Sequence, residues 1–186
     1  MQPRPTADLL AKLRHRTEEN LRIVDQLTAF PSERLHLRPR PDAWNALECL
    51  AHLNFYGRYY LPEMRRQIKK SKHPAQDTFT TGRLGNYFAA GMKPRPEMKK
   101  FKAPKNSNPA RTELPVDANT LTEFRAQQHD ILDLLDRAAR VDLARTKTGT
   151  TLSRFLRLRL GDTLRVVVNH NWRHLEQALR AARSAE

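Results

Sequence analysis

Apolar residues recur at helical spacing in four separate stretches of the chain, and that pattern predicts the architecture. In "TADLLAKLRHRTEENLRIVDQLTAF" (6–30), Leu9, Leu10, Leu13, Leu21, Val24 and Leu27 form one stripe, broken near Thr17. Thr6 is its candidate N-cap and Pro31 closes it. A second pattern follows Asp42, another candidate N-cap, in "AWNALECLAHLNFYGRYYLPEMRRQIKK". Leu47, Leu50, Leu53 and Leu61 give its apolar rows, with Trp44, Phe55 and the tyrosines beside them. Pro62 inside this run predicts a kink or a division into two pieces. The third stretch, "DANTLTEFRAQQHDILDLLDRAARV" (117–141), carries Leu121, Phe124, Ile131, Leu132, Leu134, Leu135 and Ala138. The fourth runs from about Gly161 to Ala182, with Asp162 or Thr163 near its start.

Residues 71–116 interrupt this periodicity with Pro74, Pro94, Pro96, Pro104, Pro109 and Pro115, and with Gly82, Gly85 and Gly91. Only "RLGNYFAAGM" within them predicts a helical turn or two. No internal repeat stands out, and no stretch carries a convincing hairpin pattern. The expected fold class is all-α: an antiparallel four-helix bundle with a long, mostly irregular insertion between its second and third helices. Residues 1–186 form one domain on this reading.

The chain's 186 residues suffice for a real core, while a mean hydropathy of −0.74 and the lack of a long apolar run exclude a transmembrane helix. The opening "MQPRPTADLLAKL" lacks the apolar centre of a signal peptide, so the expected location is the cytoplasm. A single cysteine, Cys49, excludes an internal disulfide framework. The net charge of +14 raises the prospect of an anionic partner. The charge concentrates in "RRQIKKSKH" (65–73) and "MKPRPEMKKFKAPK" (92–105), which read either as solvated basic loops or as an anion site.

Chemistry enters with "VVVNHNWRHLEQAL" (166–179). His170 and His174 stand one helical turn apart, so both imidazoles leave the same face. Buried imidazoles need polar partners, and a metal ion is one. His52, in "ECLAHLNFYGRYY", meets this pair if the second and fourth helices are neighbours. Three neutral imidazoles suit Zn²⁺, Ni²⁺ or Fe²⁺ and leave a coordination position open. The rival reading is two ordinary histidines on a half-buried face. His15, His36, His73 and His129 sit among charged or turn residues and read as exposed. Asn171 stands where a zincin carries its glutamate base, which removes a metalloprotease mechanism. Glu48, one turn before His52, reads either as a carboxylate orienting an imidazole or bound water, or as a surface group. Cys49 reads as a core thiol, and Phe55, Tyr56, Tyr59 and Tyr60 as packing rather than base stacking.

Three segments together resemble the DinB/YfiT-like superfamily. "LHLRPRPDAWNALECLAHL" resembles the stretch in which a tryptophan opens the second helix and a histidine follows one to two turns later. "LGDTLRVVVNHNWRHLEQALRA" resembles the last metal-binding helix, and "MKKFKAPKNSNP" the basic insertion of one subgroup. The resemblance implies a four-helix bundle holding a divalent metal on His52, His170 and His174. It also implies frequent dimerisation, and in some members a low-molecular-weight thiol activated for attack on electrophiles.

Two functional classes follow. The first is a metal-dependent enzyme, a thiol transferase or a hydrolase, acting on a small-molecule substrate. In it Lys99, Lys100, Lys102 and Lys105 attract an anionic thiol cofactor. The second is a basic binding or stress-related protein with a structural metal, whose charge meets nucleic acid. No helix-turn-helix, zinc-finger or RNA-binding signature supports that contact.

Overall fold

The computed structural model describes residues 2–94, 107–109, 114, 116–117 and 119–184. Four long helices dominate: α1 (Thr6–Thr28), α3 (Ala46–Lys70), α5 (Thr120–Ala138) and α6 (Leu160–Ser184). Two short helices join them, α2 (Ser32–His36) and α4 (Arg83–Gly91). Helix α3 packs on α5 and α6, and α1 closes the bundle against the same two. The second and fourth long helices are therefore neighbours, as a meeting of His52 with His170 and His174 requires.

The helix starts differ from the sequence expectation for local reasons. Helix α3 begins past Asp42, with Asn45 as its cap. The Asn45 side chain accepts a hydrogen bond from the Glu48 backbone N–H, and the Glu48 carboxylate accepts one from the Asn45 N–H, both at 2.8 Å. This reciprocal pair satisfies two donors that the first turn leaves unpaired. Thr6 lies inside α1 rather than capping it, because its hydroxyl and backbone N–H are turned to the carbonyls of Gln76 and Asp77. Pro62 does not divide α3, which runs unbroken to Lys70. Its ring lies on the exposed face, where the carbonyl deprived of a partner is open to water.

Small β elements also depart from the expectation. Strands β1 (Arg4–Pro5) and β2 (Thr78–Phe79) pair antiparallel and pin the insertion to the chain's start. Strands β3 (Lys147–Gly149) and β4 (Arg157–Arg159) form a hairpin in register Thr148 opposite Leu158. Three-residue strands are too short for a period-2 pattern to emerge from sequence. The Glu63 carboxylate accepts the Gly149 N–H at 2.8 Å and is held by Arg66 and Gln67, which fixes this hairpin to α3. The described part of the insertion holds one helix, where a turn or two was expected. Helix α4 docks on α6 through Asp162, whose carboxylate accepts the Gly82 N–H at 2.8 Å and a bond from Arg165 at 3.0 Å. Gly85 permits this approach, since a Cβ there would lie 2.3 Å from an Asp162 oxygen.

The core falls into two apolar clusters. One gathers Leu9, Leu13, Met64, Ile131, Leu134, Leu164 and Val168. The other gathers Val24, Leu27, Leu50, Leu53, Phe124, Leu175 and Leu179. In each long helix, buried polar residues stand between the two sets: Thr17 and Asn20, His52 and Asn54, Gln127 and Gln128, and Asn169 and Asn171. The break in the α1 stripe at Thr17 belongs to this polar layer. Among the described residues no helix is long and apolar enough to cross a membrane.

Phe124 is fully buried, so Phe124→Ala is expected to cost about 3–5 kcal/mol of stability in denaturant unfolding. A second expectation concerns pH. Burial pushes the Glu63 carboxyl up, but its bonds to Gly149, Arg66 and Gln67 outweigh that and hold it below its usual range. Its stabilising contribution is then full above the unfolded value and is lost as pH falls through the folded one. Glu63→Ala should cost about 1–2 kcal/mol at pH 7. The gap should narrow below about pH 4.3, as measured by unfolding across pH.

Candidate metal centre

His52 projects from α3 and His170 and His174 from α6, and the three rings meet in the polar layer with centroids 4.7–5.1 Å apart. One ring nitrogen from each lies within 4.8 Å of the others. The His52 and His170 Nε2 atoms are 3.2 Å apart. Two nitrogens bound tetrahedrally to one zinc ion stand about 3.3 Å apart, so this pair already has the spacing of shared ligands.

Acceptors on two of the rings decide where their protons sit. The Ser107 carbonyl lies 2.6 Å from His52 Nδ1 and the Gln177 amide oxygen 3.0 Å from His174 Nδ1. A carbonyl oxygen can only accept, so each Nδ1 carries the proton and each Nε2 keeps its lone pair. His170 then donates from Nε2 to His52 Nε2. Moving that one proton to His170 Nδ1 would leave the Nε2 lone pair free on all three rings. Trp44 packs against the rings of His52 and His174, at 5.0 and 5.8 Å, and Tyr56 against His52 and His170. The donor set is thus neutral, nitrogen-only and held by its surroundings, which is what a borderline divalent cation requires.

A family model described as the DinB superfamily matches residues 9–178. The chain belongs to the DinB superfamily. No curated protein and no solved structure gives a match to it. The family match takes in all of α3 and α5, most of α1 and α6, and all three histidines.

Burial dominates the electrostatics of this DinB-superfamily site. It depresses His52 to about 4 against the opposing pull of the Ser107 carbonyl, and His174 to about 3 with help from His52. His170 is pushed well below its ordinary value by burial and by its two neighbours. The Tyr56 hydroxyl, bonded to the Ser107 hydroxyl at 3.1 Å, is pushed up by burial and stays protonated at neutral pH.

The histidines form part of the wall of a cavity of about 260 Å³. Tyr56, Tyr60 and Leu61 of α3, Phe88 of α4, Ile131 of α5 and Val167 of α6 supply much of the rest. Among the described residues, no aspartate or glutamate lines it.

Glu48 does not touch an imidazole. Arg38 engages both of its oxygens and the Asn45 backbone N–H donates to one of them, so its place is the start of α3. Ser107 and Gln177 make the contacts expected of it. Gln177 follows His174 by three positions, and helical spacing alone could have revealed it. Ser107 lies in the insertion, where spacing says nothing about proximity. Cys49 is fully buried, and burial drives its thiol far above the ordinary range, as befits a core residue. Lys99, Lys100, Lys102 and Lys105 lie outside the described residues.

With chelator present, ¹⁵N NMR at pH 6 is expected to find all three imidazoles neutral. His52 and His174 should be protonated on Nδ1, and His170 on Nε2. A lowered folded pKa keeps a ring neutral at a pH where a free imidazole, near 6.5, is mostly charged. An imidazolium signal from any of the three would contradict the assignment.

Proposed function

We propose that this chain is a divalent-metal-dependent enzyme whose metal ligands are His52, His170 and His174. Zinc, nickel or ferrous iron suits three imidazoles. Such an ion supplies Lewis acidity that lowers the pKa of a thiol or water into the neutral range. The reaction is transfer of that nucleophile to a small electrophilic substrate, or hydrolysis of one. The observation that carries this reading is the convergence of three neutral imidazoles on one wall of an apolar cavity.

The chain's own groups have separable tasks. Ser107 and Gln177 hold the Nδ1 protons of His52 and His174, so both rings offer Nε2. The aromatic wall excludes bulk water and strengthens every electrostatic contact inside it. The protonated Tyr56 hydroxyl is available to donate a hydrogen bond to a developing anion. Among the described wall residues no carboxylate can serve as a general base, so deprotonation of the nucleophile rests on its own lowered pKa.

Untagged protein is expected to carry close to one equivalent of divalent metal by elemental analysis, and His170→Ala close to none. Helicity should be retained in that variant, because the two apolar clusters do not depend on the ion. Gln177→Leu is expected to weaken zinc binding by about 10–100-fold in calorimetry. Full metal occupancy in His170→Ala would reject the ligand assignment. For activity, the loaded protein is incubated with a panel of cellular thiols and a chromogenic electrophile beside His52→Ala. Equal rates for the two proteins across the panel would reject thiol transfer.

A further inference from the structure

The hairpin of β3 and β4 turns its apolar side chains outward. Its loop, residues 150–156, reads "TTLSRFL", and Thr151, Leu152, Ser153, Arg154 and Phe155 are all exposed. Leu152 is 56% and Phe155 80% exposed. The loop has a defined turn, because the Phe155 N–H donates to the Ser153 hydroxyl at 3.3 Å and the Leu156 N–H to the Ser153 carbonyl at 3.1 Å.

Other apolar groups gather beside this tip. Leu84 and Tyr87, three positions apart on one face of α4, are both exposed, and α4 packs on β4. Tyr87 and Leu152 line the same cavity, so α4 and the tip border one opening. Tyr59 of α3, also exposed, reaches β3: a Cβ on Gly149 would lie 2.9 Å from its hydroxyl. Of the six large apolar side chains exposed among the described residues, five therefore stand on or beside this hairpin. Single exposed apolar groups are ordinary, whereas a gathered set marks an interaction surface.

The same hairpin is cationic. Between Leu143 and Gly161 the sequence carries Arg145, Lys147, Arg154, Arg157 and Arg159 and no aspartate or glutamate. The Arg154 guanidinium lies over the Phe155 ring, 4.6 Å from its centroid. Arg157 and Arg159 donate to the backbone carbonyls of Lys147 and Thr80, and a neutral carbonyl cancels no charge. The acids at the base of the hairpin are engaged within the fold. Asp162 binds Thr81, Gly82 and Arg165, and Asp142 accepts the N–H groups of Ala144 and Arg145. Glu63 is held by Gly149, Arg66 and Gln67.

An apolar tip with cationic flanks complements an anionic bilayer, where apolar side chains enter below the headgroups and cations meet the phosphates. Tyrosine suits the boundary, with its ring in the apolar layer and its hydroxyl among the headgroups. Single-stranded nucleic acid is a poorer match. Base stacking needs an open ring face, yet Arg154 covers one face of Phe155, and Leu152 has no ring.

We propose that the β3–β4 tip docks this protein on an anionic lipid surface, with Leu152 and Phe155 entering the bilayer and Arg154 and Arg157 meeting lipid phosphates. Docking in this way sets the cavity opening, bordered by Tyr87 and Leu152, at the lipid boundary. It requires no metal on the three histidines.

The test is co-sedimentation of the full-length protein with vesicles of phosphatidylcholine alone or mixed with phosphatidylglycerol. Binding to the mixed vesicles is expected to be about ten-fold tighter, and to weaken as salt rises. Arg154→Gln and Arg157→Gln should each weaken it about five-fold. Phe155→Ser should weaken it about ten-fold or more with helicity unchanged, since that ring is outside the core. Lys12→Gln with Arg22→Gln removes the same charge from exposed positions of α1 and should alter binding little. Phe155→Cys accepts a polarity-sensitive fluorophore at the tip, because Cys49 is fully buried, and its emission should shift to the blue on the mixed vesicles. Equal binding to the two vesicle types overturns the proposal, as does Phe155→Ser binding like the wild type or an unshifted emission. A loss in the α1 variant as large as in the arginine variants reduces the effect to net charge and overturns it too. Binding to single-stranded DNA by a protein that ignores both vesicles overturns it in favour of nucleic acid.

Discussion

Gathering three imidazoles, one buried and two half-buried, between two apolar clusters is the constraint on which the rest of the molecule depends. Each ring brings one donor and one acceptor out of water, and an unpaired polar atom there costs roughly 1–3 kcal/mol. Ser107 and Gln177 settle two of the donors, and the His52–His170 contact settles the third. Once the His170 proton moves to Nδ1, the three Nε2 lone pairs are left free together. Such a group gains little from further packing and much from a cation. The depressed pKa values of His52 and His174 have the same origin, because burial penalises the protonated ring and keeps the lone pair available.

The insertion takes on structural meaning from this constraint. It returns Ser107 to the bundle centre, where that residue is fully buried and touches both His52 and Tyr56. Thr81 and Gly82 bind Asp162, and Arg165 binds both Thr81 and Asn86, so the first turns of α6 hold α4 in place. Helix α4 in turn supplies Tyr87, Phe88 and Gly91 to the cavity. A segment that breaks the helical periodicity therefore closes the site from two sides.

The long helices were legible because each has an apolar stripe that must be buried, and the three histidines because two of them share a helical face. The interruption near Thr17 was visible too, although its meaning required all four helices: the same interruption recurs at Asn54, at Gln127 and Gln128, and at Asn171. Other features depend on contacts between distant residues and leave no local trace. Ser107 is 55 positions from His52, and Asp162 is 80 from Gly82. The fit of Gly57 against Gln127, where an added Cβ would lie 1.9 Å from the amide oxygen, belongs to the same class. Glu48, which spacing left open between orienting an imidazole or bound water and a place at the surface, depends on a different interaction. Its position one turn before His52 is real, but the capping of α3 and the Arg38 guanidinium occupy its oxygens first.

Net charge gave the least specific information, and the structure indicates why. In the first basic cluster Arg65 pairs with Asp130 and Arg66 with Glu63, so part of its charge is met within the fold. Charge inside the cavity is a different matter, because low polarity magnifies it. Three neutral ligands cancel none of a divalent ion's charge. On the proposed reading, then, the loaded site is cationic within an apolar enclosure. An enclosure of that kind favours nucleophiles that bind as anions, thiolate foremost, and substrates in which negative charge develops as the bond forms. The selectivity would come from the ion's charge within the site rather than from the basic surface of the chain.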